Sequence, residues 1–278
     1  MIEINKNYNE SNLVTMSKLP DCSVDLTVTS PPYDGLRVYN GYSFEFEVTA
    51  KELYRVTKHG GVVVWVVGDS TKNGSESLTS FRQALFFKDI GFNVHDTMIY
   101  AKNSYMPLTH NRYEQQFEYM FIFSKGRPKT FNPIMIPTLT PGKTKNRGGS
   151  KAKEVTYAER LRDETTTTKT EKQKANIWYY DVGKNDKTKH NAHFPENLVH
   201  DHIISWSNEG DLVYDPFMGS GTVAKMCILN NRNWIGSEIS LEYCNIIEER
   251  VDKTKENKKF DNSAVTKVNT QEDETGIN

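Results

Sequence analysis

Two short apolar runs, each broken by a rigid turn, constrain what this chain can fold into. Val24-Asp25-Leu26-Thr27-Val28-Thr29 runs into Ser30-Pro31-Pro32-Tyr33, and much later Leu212-Val213-Tyr214 runs into Asp215-Pro216-Phe217-Met218-Gly219-Ser220-Gly221-Thr222. β-Branched runs that end in proline or glycine are how buried strands of an open α/β sheet feed a site at the sheet's carboxyl edge. Between them, Gly61-Val62-Val63-Val64-Trp65-Val66-Val67-Gly68-Asp69 is apolar without alternation, the pattern of a central strand covered on both faces.

The flanking sequence supplies helices for those faces. Apolar spacing predicts helices over Ala50–Thr57, closed by Gly60-Gly61, and over Ser80–Ile90, closed by Gly91. Further helices are expected over Leu198–Trp206, Thr222–Leu229 and Leu241–Val251. Asp96–Ala101, Phe117–Ser124 and Trp234–Glu238 read as strands. The expected architecture is α/β: a mostly parallel, doubly wound sheet with an antiparallel hairpin at one edge. From about residue 137 to 174 apolar periodicity fades, four threonines run from Thr165 to Thr168, and Lys and Arg outnumber acids. This stretch is expected to be a long functional loop or a small, partly ordered insertion, with globular character returning at Ala175-Asn176-Ile177-Trp178-Tyr179. Beyond Lys255 the sequence turns polar, and a disordered tail is expected over 255–278.

The formal net charge of -1 over 278 residues rules out a globally basic protein, so contact with nucleic acid requires a local patch. Cys22, Cys227 and Cys244 are odd in number and lack C-x-x-C spacing, which suits reduced thiols. With no apolar signal region at the start and no span-length apolar stretch, a soluble, cytoplasmic protein is expected. His190, His193, His200 and His202 cluster locally, but in no standard zinc spacing, and no metal is expected.

The late turn is too short for a G-x-x-x-x-G-K-[ST] phosphate loop and lacks the third glycine of G-x-G-x-x-G. Its glycines would let backbone approach a ligand at a helix N-terminus. Glu238, at the end of the next strand, would be placed to accept hydrogen bonds from ribose hydroxyls. Taken alone, the turn and its glutamate also fit an ordinary strand-to-helix connection. In the early turn the prolines remove amide donors, leaving the Ser30 hydroxyl and the Pro31 carbonyl as acceptors. Acceptors are what an exocyclic amino group needs, and Tyr33 offers a face on which a base can stack. Taken alone, this too is compatible with a rigid turn beside a core tyrosine.

Together and in this order the two turns resemble those of the beta group of DNA amino-methyltransferases, in which a D/N/S-P-P-Y/F motif precedes an F-x-G-x-G motif. Leu19-Pro20-Asp21-Cys22-Ser23-Val24-Asp25-Leu26, Arg55-Val56-Thr57-Lys58-His59-Gly60-Gly61, Arg112-Tyr113-Glu114 with Phe117-Glu118-Tyr119 and Phe123-Ser124-Lys125, and His190-Asn191-Ala192-His193-Phe194-Pro195 resemble the group's other segments in sequence order, from about Tyr8 to Val251. Two positions depart from the pattern. Ser11 stands where an acid commonly contacts the cofactor's adenine end, and Asn191 stands where proline is usual.

The resemblance implies a Rossmann-like methyltransferase fold with circularly permuted motif order. It implies a catalytic half over 1–136, a target-recognition insertion over 137–176 and a cofactor half over 177–254. Ser30, Pro31, Pro32 and Tyr33 would be catalytic. Asp215, Phe217, Gly219, Ser220, Gly221, Thr222 and Glu238, with His193, Phe194 and Pro195 closing the methionine end, would bind S-adenosylmethionine. Lys143, Lys145, Arg147, Lys151 and Lys153 would contact double-stranded DNA. A cognate restriction endonuclease accompanies some members, and both monomers and homodimers occur.

Serine in the first motif position accompanies cytosine N4 more often than adenine N6, so cytosine N4 is the implied target and adenine N6 the alternative. No cysteine follows a proline here, which argues against C5 transfer. RNA and protein methyltransferases with an Asn-Pro-Pro-Tyr loop place the cofactor loop first, the reverse of this chain. A silent DNA-binding module would have no use for the tyrosine turn, the glycine turn and Glu238 together.

Overall fold

The computed structural model describes residues 2–32, 44–104, 111–145, 166–181 and 194–273. They form two compact units: one of Met1–Asn132 with Asn176–Asn278, the other of Pro133–Ala175.

The larger unit is built on an eight-stranded sheet. In chain order its strands are β1 (Lys6–Tyr8), β2 (Val24–Thr29), β3 (Thr57–Val67), β4 (Asn93–Lys102), β5 (Phe117–Ser124), β6 (Ile177–Tyr180), β7 (Leu212–Asp215) and β8 (Asn233–Ser237). Their order across the sheet is β1-β8-β7-β2-β3-β5-β4-β6, and only β5 runs against its neighbours. The helices are α1 (Asn12–Lys18), α2 (Phe46–Val56), α3 (Thr79–Asp89), α4 (Glu196–Trp206), α5 (Thr222–Leu229) and α6 (Leu241–Asp273).

Alternation along β3 accounts for its unbroken apolar run. Val63, Trp65 and Val67 join a core with Met16, Leu53, Phe87 and Phe92 from the α1–α3 side, while Val62, Val64 and Val66 are equally buried and point the other way. Trp65 anchors the first layer, its indole N–H donating to Gln83 Oε1 at 2.8 Å. The chain leaves β2 through α2 to reach β3 on one side, and leaves β7 through α5 to reach β8 on the other. The gap between β2 and β7 is therefore the topological switch point, where open α/β sheets hold ligands at their carboxyl ends.

Several sequence expectations shift. Helix α2 stops at Val56, because Thr57 is already extended and opens β3. The Gly60-Gly61 pair lies inside that strand, where Gly60 has φ +81 and a side chain would meet Lys129 Cβ at 2.9 Å. The antiparallel hairpin β4–β5 does not form the sheet's edge: β6 pairs in parallel outside β4 and takes it. In β6, Trp178 and Tyr180 are buried while Ile177 and Tyr179 are exposed, the alternation of an edge strand half in the core. Past Lys255, α6 runs on to Asp273 through a stretch without glycine or proline.

The smaller unit, which covers most of the expected insertion, is a β-ribbon. Met135–Pro137 pairs antiparallel with Glu171–Gln173, and Thr144–Lys145 with Thr166–Thr167. Lys143 is exposed, and its carbonyl accepts from the Thr168 amide and hydroxyl. Lys145 lies on the inner strand pair, whereas Arg147, Lys151 and Lys153 fall outside the described residues. Among the described residues no helix is long and apolar enough to cross a membrane.

Candidate active site

The two motif strands are hydrogen-bonded neighbours: Leu26 pairs with Val213 and Thr27 with Tyr214. Their carboxyl ends are joined directly, the Thr29 hydroxyl donating to Asp215 Oδ1 at 2.7 Å across 186 residues of sequence. Ser30 and Pro32 follow half-buried, with Pro31 buried between them, so the proline turn leaves the sheet beside the glycine turn. Tyr33 and His193 lie outside the described residues.

The glycine loop is tied down at nearly every amide. Phe217 N–H donates to Asp215 Oδ1 at 3.0 Å, Met218 N–H to Ser237 O at 3.0 Å, Gly219 N–H to Glu238 Oε2 at 2.9 Å and Gly221 N–H to Met218 O at 2.9 Å. Ser220 is buried, yet its N–H meets no acceptor among the described residues. A donor with no acceptor among the described residues, in a loop otherwise satisfied, can be offered to a ligand. At Gly221, φ is +83 and a Cβ would press on Ile247 Cγ1 at 3.1 Å, so the turn into α5 needs glycine there. Phe217 stands edge-on to Phe44, ring centres 5.2 Å apart.

Glu238 caps this floor. Its Oε1 accepts from Ser240 N–H at 2.8 Å, its own amide donates to Tyr8 O at 3.0 Å, and the Asn9 side chain donates to its carbonyl at 3.0 Å. Burial pushes its carboxyl above the usual range, and the amides of Ser240, Gly219 and Ile239 pull it back. The carboxylate has four acceptor positions against these three amides, so a ribose-type hydroxyl can be accepted without breaking the loop contacts. These residues therefore fit a cofactor that brings a ribose and needs close backbone approach.

Asp215 is fully buried, and desolvation pushes its carboxyl up to about 7; the Thr29 hydroxyl and Phe217 amide oppose this, and the charge of Glu238 adds to it. Its folded pKa thus exceeds the ordinary 3.8, so the folded chain holds the proton to higher pH than the unfolded chain does. Stability is expected to fall by a few kcal/mol as pH rises from about 4 to about 7, then to level off. Asp215→Asn, which keeps an acceptor for Thr29 and Phe217, should flatten that slope in urea unfolding measured across the interval. An unchanged slope would mean that another group carries it.

Ser11 serves as the N-cap of α1, accepting from Leu13 N–H at 3.3 Å, which gives the departure from an acid a local structural use. Phe194 is half-buried and Pro195 buried at the N-cap of α4. Cys227 on α5 and Cys244 on α6 are buried, and burial pushes both thiols up, so neither is poised as a nucleophile. Sequence reasoning missed Thr29, whose only signal was adjacency to Ser30. It also missed Asn9 and Arg250, which no spacing announces.

A family profile described as DNA methylase, of the N6/N4 type, matches residues 24–249. The orphan methyltransferase M.BamHII of Bacillus amyloliquefaciens is 57% identical over 242 residues, which cover 83% of this chain and 89% of that one. Among solved structures, the PvuII DNA methyltransferase (cytosine-N4-specific) superposes with TM-score 0.65 at 19% identity, over 88% of this chain and 85% of that one. An M1.HpyAVI–SAM complex does so with TM-score 0.57 at 24% identity, over 88% and 98%. At those identities the two structures establish the fold. The chain belongs to the N6/N4 DNA methylase family. It is a DNA amino-methyltransferase, and its cofactor is S-adenosylmethionine.

Proposed function

We propose that this chain methylates the exocyclic N4 of a cytosine flipped out of duplex DNA. Support comes from the side-by-side exit of the Ser30-Pro31-Pro32 turn and the glycine loop at the switch point, tied by the Thr29–Asp215 hydrogen bond. S-adenosylmethionine, when bound, supplies an electrophilic methyl group on a sulfonium. The chain's own residues do the rest. Gly219, Ser220, Gly221 and Thr222 offer backbone to the cofactor, Asp215 and Phe217 shape the start of the loop, and Glu238 takes its hydroxyls. Phe194 and Pro195 close the opposite side, with His193 beside them. Ser30 Oγ and the Pro31 carbonyl accept hydrogen bonds from the amino N–H groups, which draws electron density toward the nitrogen and favours its pyramidal form. Pro32 keeps the turn rigid, and Tyr33 gives the flipped base a stacking face. Rate comes from positioning in a water-poor pocket.

The preference for cytosine over adenine N6 rests on serine rather than aspartate at position 30. Mass-spectrometric nucleoside analysis of DNA methylated in vitro should show N4-methylcytosine. N6-methyladenine alone would replace the cytosine reading with the adenine one.

The ribbon carrying Lys143 and Lys145, together with Arg147, Lys151 and Lys153 further along the sequence, is proposed to contact DNA phosphates. Neutralising these five residues together should weaken DNA binding and lower the slope of log affinity against log salt by up to about 0.9 per lost contact. Cofactor affinity should not change. Unaltered DNA affinity would dismiss the assignment.

A further inference from the structure

Outside the residues that would touch cofactor or base, one charged cluster reaches the glycine loop. Arg250, on α6, is mostly buried and donates through Nη1 to both the Ser220 carbonyl and the Ser220 hydroxyl, each at 3.1 Å. Its Nη2 donates to Glu196 Oε1 at 2.6 Å. Glu196 is the first residue of α4, directly after Phe194 and Pro195, and also receives Lys225 Nζ from the first turn of α5 at 2.6 and 2.8 Å. Burial works against its charge, but the bonds from Lys225 and Arg250 outweigh this and hold its carboxyl below the usual range.

The guanidinium is placed to fix one particular peptide. Ser220 sits between Gly219 and Gly221, which have φ of 53 and 83 and no side chains to limit rotation. The peptide joining Ser220 to Gly221 is held at both ends, its carbonyl by Arg250 and its N–H by Met218 O. The Ser220 hydroxyl is held by the same Nη1, which restricts the rotations that aim the preceding amide, the Ser220 N–H, for which no acceptor lies among the described residues. The same guanidinium, through Glu196, ties the start of α4 to the loop, so one side chain spans the two segments that would face each other across the cofactor.

We infer that Arg250, held by Glu196 and backed by Lys225, is a positioning residue that presets the glycine loop for S-adenosylmethionine without touching it. This rests on the cofactor reading given above. A lysine at 250 keeps the charge but loses the planar fork needed to serve Ser220 and Glu196 at once.

The test is calorimetric titration of the full-length protein with S-adenosylmethionine and, separately, its demethylated product, alongside steady-state kinetics. Arg250→Met should weaken both ligands about ten-fold or more, since charge-assisted hydrogen bonds that shape the loop are lost. Because bound cofactor is affected alike before and during transfer, kcat at saturating cofactor and KM for DNA should stay within about three-fold. Arg250→Lys should fall between, and Glu196→Gln should weaken binding less. The double variant should be no worse than Arg250→Met alone, because both act through one contact set.

Arg232→Met serves as a stability control. Arg232 donates to Ser207 and to the Asn230 carbonyl, away from the loop, and its loss should lower Tm without moving cofactor affinity. The inference fails if Arg250→Met binds cofactor like wild type, or if KM for DNA rises in step. It also fails if Arg232→Met loses cofactor affinity in proportion to its Tm. Should Arg250→Met not fold, Glu196→Gln decides: unchanged cofactor affinity there overturns the inference. Wild-type protein that binds no cofactor would instead bring down the underlying reading, so the two failures are distinguishable.

Discussion

Replacing Ser30 with alanine is expected to lower kcat for DNA methylation about a hundred-fold, with cofactor affinity within about two-fold of wild type. The reason lies in the weak nucleophilicity of an exocyclic amine, whose lone pair is shared with the ring. An acceptor at its protons helps only as the nitrogen begins to bond, so the loss should appear in kcat. The fold should tolerate the change: Ser30 lies at the strand's exit, and Thr29, one residue earlier, carries the bond to Asp215. Radiolabelled methyl transfer under single-turnover conditions, paired with calorimetry, separates the two effects. Near-normal transfer by Ser30→Ala would remove the serine from the chemistry and, with it, the argument for cytosine.

Glu238→Ala should have the opposite signature, weakening S-adenosylmethionine binding about a hundred-fold or more. Its two oxygens hold the amides of Gly219 and Ser240 while remaining able to accept from ligand hydroxyls. Alanine therefore removes a ligand contact and strips the loop of two acceptors in a largely buried place. Glutamine should not rescue it well, because its NH2 group would face one of those two amides, donor against donor. Titration calorimetry with S-adenosylmethionine measures this directly, and affinity close to wild type in both variants would show that the carboxylate only braces the turn.

How much of this was written in the sequence depends on whether the signal was local. Helix α5 and strand β5 have the bounds that their composition predicts, because glycine before one and the aromatic run of the other are local facts. Strand β6 is short, and its alternation becomes meaningful only once β4 is beside it.

The same division runs through the site. Asp215, the glycines and Glu238 sit on one strand–turn–helix–strand passage and were legible. The Thr29–Asp215 bond and the Arg250–Ser220–Glu196 cluster join segments far apart in the chain, and no periodicity encodes them. Gly60 misled in another way: its positive φ serves a close crossing inside β3, where the sequence suggested a helix stop.

The neighbourhood of β2 and β7 also governs how this protein is made. A ribosome releases Val24–Thr29 long before Leu212–Asp215 exists, so until then the future centre of the sheet is a bare edge with unpaired backbone. Closure awaits the synthesis of Leu212–Asp215, and a nascent chain stalled before that point leaves the edge of β2 open to pairing with another polypeptide.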